Sequence, residues 1–209
     1  MNKYIVIFLL FSLFGFSQSS NNNFSIELSS GYTGAVKPYL SSYKSGFSGF
    51  NNINIAGRYM FSEKFGVRLE YVNDRFITST DSKVGTYFNR FGAQLVYNLG
   101  KDLDLMYVTN EKFGLLTHAG AGYTLSKPVG KNFTEQIGSL VFGITPQVKL
   151  NNKIALFADL SSVINLKQHY LFDGSLFSDN YTPTVGYHYN VSLGLMLYLG
   201  EEKYHSDWY

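Results

Sequence analysis

The chain has 209 residues and no cysteine, and its 17 Lys and Arg against 15 Asp and Glu leave a net charge of +2. That balance, with no basic run, excludes a nucleic-acid partner held by charge, and the missing thiols exclude a disulfide framework and acylation at cysteine. A 17% aromatic share, 20 Gly, only 4 Pro and a mean hydropathy of -0.06 fit strands that alternate an apolar with a polar face, not a helical membrane span or a disordered chain.

Residues 1–17 read as a secretory signal peptide: Lys3, then the apolar run YIVIFLLFSLFGF, then the small-x-small pattern Gly15-Phe16-Ser17. At about thirteen residues the run is short for a spanning helix. Its removal leaves roughly 190 residues outside the cytoplasm, enough for one domain.

The first strand is expected over 24–33, where Phe24, Ile26, Leu28 and Tyr32 alternate with Ser25, Glu27, Ser29 and Gly31. A loop rich in Gly, Ser and Tyr follows over 34–48. Strand two, 50–61, sets Ile53, Ile55, Tyr59 and Phe61 against Asn52, Asn54, Arg58 and Met60. The very short link 62–64 makes it a hairpin with strand three, 65–77, in which Phe65, Val67, Leu69 and Tyr71 oppose Gly66, Arg68, Glu70 and Val72.

Strand four, 84–99, places Tyr87, Phe91, Ala93, Leu95 and Tyr97 opposite Phe88, Arg90, Gly92, Gln94 and Asn98. The connection 100–112 is the longest on its side. Strand five, 113–125, alternates Leu115, Ala119, Ala121 and Tyr123 with Gly114, His118, Gly120 and Gly122. Strand six, 137–150, sets Leu140, Phe142, Ile144 and Val148 against Gly143, Thr145, Gln147 and Lys149, with Pro146 removing one ladder donor. After a tight turn at 151–153, strand seven, 154–166, carries Leu156, Ala158, Leu160 and Ile164 opposite Asp159, Ser161 and Asn165.

A long aromatic and polar loop, 167–184, precedes the last strand, 185–199. There Tyr187, Tyr189, Val191, Leu193, Leu195, Leu197 and Leu199 fall on one parity, and Gly186, His188, Asn190, Ser192 and Gly194 on the other. About fifteen residues exceed the 9–11 that a tilted strand needs to cross a bilayer. The fold class expected is all-β: an eight-stranded antiparallel up-and-down transmembrane β-barrel over 18–200, followed by a short periplasmic tail, 201–209. An even strand count puts both ends on one side, which export makes the periplasm, with the long loops facing out of the cell from the outer membrane.

Alternation alone also fits a secreted lipocalin-like barrel with an apolar interior. The glycines separate the two. Gly31, Gly66, Gly92, Gly114, Gly120, Gly122, Gly143, Gly186 and Gly194 share the polar parity, and Gly57 joins the apolar one. On a solvent face they would weaken strands without gain, whereas in a narrow lumen they relieve crowding. The polar parity also carries both charge signs, Glu27, Glu70 and Asp159 against Arg58, Arg68 and Arg90. These six are expected to form a charge network that plugs the lumen, since an eight-stranded bore is just wide enough for side chains to fill it.

In that architecture the chain resembles the transmembrane domain of the OmpA family, of the Bacteroidetes type. The resemblance spans 18–200 as pattern, and its sharpest point is the exit Leu199-Gly200-Glu201-Glu202-Lys203-Tyr204-His205-Ser206-Asp207-Trp208, similar to the segment that joins such barrels to a peptidoglycan-binding domain. No such domain is expected here, and with it no peptidoglycan binding.

No enzyme chemistry, cofactor or metal site is expected. His205-Ser206-Asp207 has the letters of a catalytic triad but lies in a tail with no predicted scaffold, and His188 and Ser192 stand roughly 13 Å apart along one strand. His118 reads as a hydrogen-bonded lumen histidine. Lipid of the outer membrane is the expected surroundings, and protein partners in the outer membrane or periplasm remain open. The expected contact surface is made by Tyr39, Tyr43, Phe47, Tyr170, Phe172, Phe177 and Tyr181 in the two long outer loops, aromatic area set among adaptable Ser, Gly and Asn. Structural component, accessory subunit of a larger outer-membrane machine, surface adhesin and lipid-modifying enzyme are the roles to be weighed.

Overall fold

The computed structural model describes residues 22–37, 47–78, 84–200 and 205–208. Among them are eight strands: β1 (Phe24–Lys37), β2 (Ser48–Met60), β3 (Phe65–Ile77), β4 (Gly85–Asn98), β5 (Phe113–Pro128), β6 (Glu135–Lys149), β7 (Ile154–Gln168) and β8 (Thr184–Tyr198). Each pairs antiparallel with its neighbours in sequence, and β8 pairs back onto β1 from Ser25↔Tyr198 to Lys37↔Tyr187, closing the barrel. Closure removes the unpaired edge that an open sheet would expose. The expected signal peptide lies outside the described residues.

The strand period sets the two faces. On the outer wall Leu69, Leu95 and Leu193 are 65%, 67% and 65% exposed, and Leu195 is flanked by Leu28 and Leu156 on the adjoining strands. A contiguous apolar wall of this kind has no reason to exist in water and is what a lipid-facing barrel requires. Aromatic pairs sit toward its ends, Phe65 with Tyr97 and Tyr32 with Phe50, at centroid distances of 5.0 and 5.6 Å. The inner face is mostly polar, with apolar side chains toward its two ends, and its glycines serve the packing. A Cβ at Gly143 would collide with the imidazole of His118, and one at Gly122 would fall 2.9 Å from the aliphatic stem of Arg90. Gly57 and Gly138 turn outward instead.

The rim at which β1 begins and β8 ends, the near rim, has the short links. Phe61 and Ser62 donate to the carbonyl of Phe65, and Leu150 donates to that of Ile154, closing two tight hairpins. The 99–112 connection there winds into two single turns of helix, α1 (Leu99–Asp102) and α2 (Leu105–Val108). Pro146 is accommodated as its missing donor demands: β6 and β7 pair at Ile144↔Leu160 and again at Gln147↔Phe157, with the ladder interrupted between. The opposite rim, the far rim, carries the long loops. The strands run deeper into these loops than periodicity suggests, β5 to Pro128 and β7 to Gln168, the latter past a bulge with Lys167 at φ 57°.

Candidate functional site

The lumen side chains come together because β2 and β4 each present one arginine inward, Arg58 and Arg90, and β3 between them presents Arg68 and Glu70. Arg58 and Arg68 stand directly opposite each other across β2 and β3, a like-charge pairing that is destabilising unless an anion lies between. Glu27 of β1 supplies it. Its carboxylate lies 3.2 Å from Nε of Arg58 and 2.9 Å from Nε of Arg68, an ion pair with each. Arg68 then reaches Glu70 at 3.6 Å and, across the bore, Asp159 of β7 at 3.1 Å, while Arg90 of β4 meets Glu70 at 3.2 Å. All six residues named from the sequence are thus in one buried cluster.

The network extends beyond those six. His118 lies 3.3 Å from Asp159, whose carboxylate also accepts from Thr145 and Ser161. Toward the far rim, Asp74 accepts from Asn52 at 2.7 Å and Asn190 at 3.3 Å and faces His188 at 3.6 Å. Asp74 has the inward parity of Glu70, so the signal that places Glu70 inside also covers it. A cavity lined by Glu27, Arg58, Arg68, Val96, Leu116, His118 and Thr145 has a volume of about 10 Å³, the space of roughly one water.

The segment after β8 is the largest departure from the sequence reading. Residues 205–208 are not a tail without a scaffold: they turn back into the near rim, Ser206–Trp208 forming one 3₁₀ turn with all three side chains buried. Asp207 meets Nη2 of Arg58 at 2.5 Å and accepts from Gln147 and Tyr198. Burial alone would raise its pKa, but Arg58, then His205 and Gln147, outweigh that and hold the carboxyl below the ordinary carboxylate range. Trp208 is 3% exposed among Ala155, Phe157, Met196 and Tyr198, with Met106 of α2 packed against them. The hydroxyl of Ser206 goes to Asn23, not to His205, so the triad letters do not assemble a nucleophile with its base.

The far rim is closed by rings. Phe47, Phe76, Phe88 and Phe172 form one buried cluster, and the rings of Phe76, Phe88 and Phe172 surround His188 at 5.1 to 5.9 Å. Phe47 and Phe172 are therefore not contact residues of an exposed loop surface. They point into the bore, where Phe76 and Phe88, inward by strand parity, give them apolar partners. Tyr39 and Tyr43 lie outside the described residues. Tyr170, Phe177 and Tyr181 do reach the surface. Tyr181, at φ 55°, stacks on His169 at 4.3 Å, and Tyr170 packs on Phe133 at 4.6 Å with Lys131 Nζ 4.8 Å from its ring. The buried carboxylate of Glu135 accepts from the backbone and ring N–H of His169 and so fixes this group onto β6.

The barrel as a whole is similar to Neisserial surface protein A, with a TM-score of 0.55, 14% identity and coverage of 83% of this chain and 96% of that one. It is also similar to a major outer membrane protein from Thermus thermophilus, with a TM-score of 0.53, 13% identity and coverage of 84% and 98%. The fold is that of an outer-membrane β-barrel. No protein-family model and no curated protein matches the sequence. The identities are low, and what the barrels share is the fold.

Proposed function

We propose that this protein resides in the outer membrane as a closed barrel that presents its far-rim loops at the cell surface, a structural or interaction component and not a channel or an enzyme. The observation that carries the reading is the filling of the bore from end to end. The 205–208 turn, the Arg58–Glu27–Arg68–Asp159 network and the Phe76–Phe88–Phe172 cluster follow one another along it. Fixed charges that already neutralise one another offer no path for a hydrated solute.

The surviving part of the contact surface, Tyr170, Phe177 and Tyr181 with Phe133 and Lys131, favours the interaction role over a purely structural one. It is aromatic area held in place by a buried carboxylate, the kind of rigid anchor that binding surfaces use. Whether that surface serves as an adhesin or as the docking face of an accessory subunit is decided by its partner. The OmpA-type relationship rests on strand pattern and on the exit motif around His205 to Trp208.

Topology tests the reading directly, because the chain has no cysteine and any introduced thiol is a unique label. In intact cells a membrane-impermeant maleimide should modify Phe177→Cys on the far rim. It should spare Tyr107→Cys on the near rim until the outer membrane is permeabilised. Labelling of Tyr107→Cys alone in intact cells would invert the barrel and remove the display role.

A further inference from the structure

The segment that fills the near rim belongs to the chain but not to the sheet. The Ser206–Trp208 turn enters none of the ladders, and β1 and β8 close the barrel without it. Its ties to the wall are few. Ser206 N–H donates to the carbonyl of Asn22, its hydroxyl to Asn23, and Asn98 donates to the carbonyl of Asp207. What seats it is two adjacent side chains.

The carboxylate of Asp207 is gripped by Arg58 from β2, Gln147 from β6 and the hydroxyl of Tyr198 from β8. The indole of Trp208 enters an apolar recess made by Ala155 and Phe157 of β7 and Met196 and Tyr198 of β8, with Lys149 Nζ 5.6 Å from its ring. Gly114 makes room for it, since a Cβ there would lie 3.2 Å from the indole. Every one of these groups is mounted on a paired strand, so the recess is built by the wall and not by its occupant. With Asp207 withdrawn, Arg58 keeps Glu27 at Nε, which it shares with Arg68, and its Nη2 is left without a carboxylate.

We propose that the near rim is a binding socket for a peptide segment in which an aspartate is followed directly by a tryptophan, and that 205–208 is its self-supplied occupant. A segment of that chemistry from another chain exchanges with it charge for charge. The carboxylate selects through a charge-assisted pair with Arg58, and the indole supplies the buried area. Because the cis segment is tethered, its effective concentration is on the order of millimolar, and a competitor must be offered above that level. The socket is distinct from the far-rim display surface, so its test does not depend on the role proposed for the loops.

Trp208 is the only tryptophan of the chain, which makes it a single-site reporter in the full-length protein. With 5-fluorotryptophan incorporated and the barrel in nanodiscs, the ¹⁹F resonance should start at a buried position. Titration with acetyl-His-Ser-Asp-Trp-amide should move it to the solvent-exposed position. The same peptide with asparagine for aspartate should need about tenfold more, the loss of one charge-assisted interaction. In full-length Asp207→Asn, whose cis segment is weakened, the aspartate peptide should act at about a tenth of the wild-type concentration. A resonance that stays buried in the wild type at peptide levels well above millimolar would make the segment a fixed stopper and overturn the proposal. Equal displacement by the two peptides would overturn the aspartate recognition.

Discussion

The two ends of the bore are closed by opposite chemistry. At the near rim an aspartate seated on an arginine and one indole stop the lumen. At the far rim a cluster of four phenylalanines does so, three of them around a histidine. A charged stopper gains from specific partners and loses heavily when one is removed, because the remaining charge stays buried and unpaired. A ring cluster gains from filled volume and loses in proportion to the cavity left behind. The same geometric task therefore predicts different responses to mutation and to pH, and the charged middle of the bore belongs with the near rim.

The largest effect is expected in that middle. Arg68 alone touches Glu27, Glu70 and Asp159, so Arg68→Met leaves carboxylates facing one another and should cost at least about 3–5 kcal/mol of refolding stability in bilayers. Measured by denaturant titration in lipid vesicles, a loss below about 1 kcal/mol would show the network to be dispensable. Phe172→Ala at the far rim should cost nearer 3 kcal/mol, through an apolar cavity. Its loss should be partly recovered by Phe172→Leu, whereas no apolar residue should recover Arg68 without a compensating change among the carboxylates.

These expectations also mark what the sequence could and could not disclose. The period of two puts Glu27, Arg58, Arg68, Glu70, Arg90 and Asp159 on the inner face, and up-and-down pairing brings the first five within reach of one another, because diagonal neighbours on adjoining strands meet in space. Asp74 is legible by the same parity. The loops are not legible. An aromatic in a segment without periodicity carries no sign of direction, so Phe47 and Phe172 look on paper like Tyr181, yet two are buried and one is exposed. The return of 205–208 into the bore has no local signature either. It depends on Arg58 standing about 150 positions away with room for a second carboxylate, which only the closed barrel reveals.

A smaller effect should separate the ends by pH. Asp207 is faced by Arg58 from β2, Gln147 from β6, Tyr198 from β8 and His205 from its own turn. Its folded pKa is depressed, so the stability it contributes is fully present above the unfolded value of about 4 and is lost as pH falls through the lower folded value. Trp208 fluorescence should hold its buried emission from neutral pH down to about 4 and red-shift only below it. Asp207→Asn should remove that acid limb. An emission change centred well above pH 4 would contradict control by Asp207.

The smallest effect should come from the surface pair outside the bore. Lys101 and Glu63 meet near the near rim with the Glu63 side chain more than half exposed, and Glu63→Gln should change stability by less than about 1 kcal/mol. A larger loss, read by the same vesicle titration used for Arg68→Met, would mean that ion pairs stabilise this barrel irrespective of burial and would erase the contrast between bore and rim.

The claim that the bore is closed is tested most directly by its conductance. Purified protein inserted in planar bilayers should give no stable, large conductance, and Glu70→Gln should give none either, because the neighbouring side chains still fill the lumen. A stable, large conductance in the wild-type protein would contradict the closed network and make the barrel a pore.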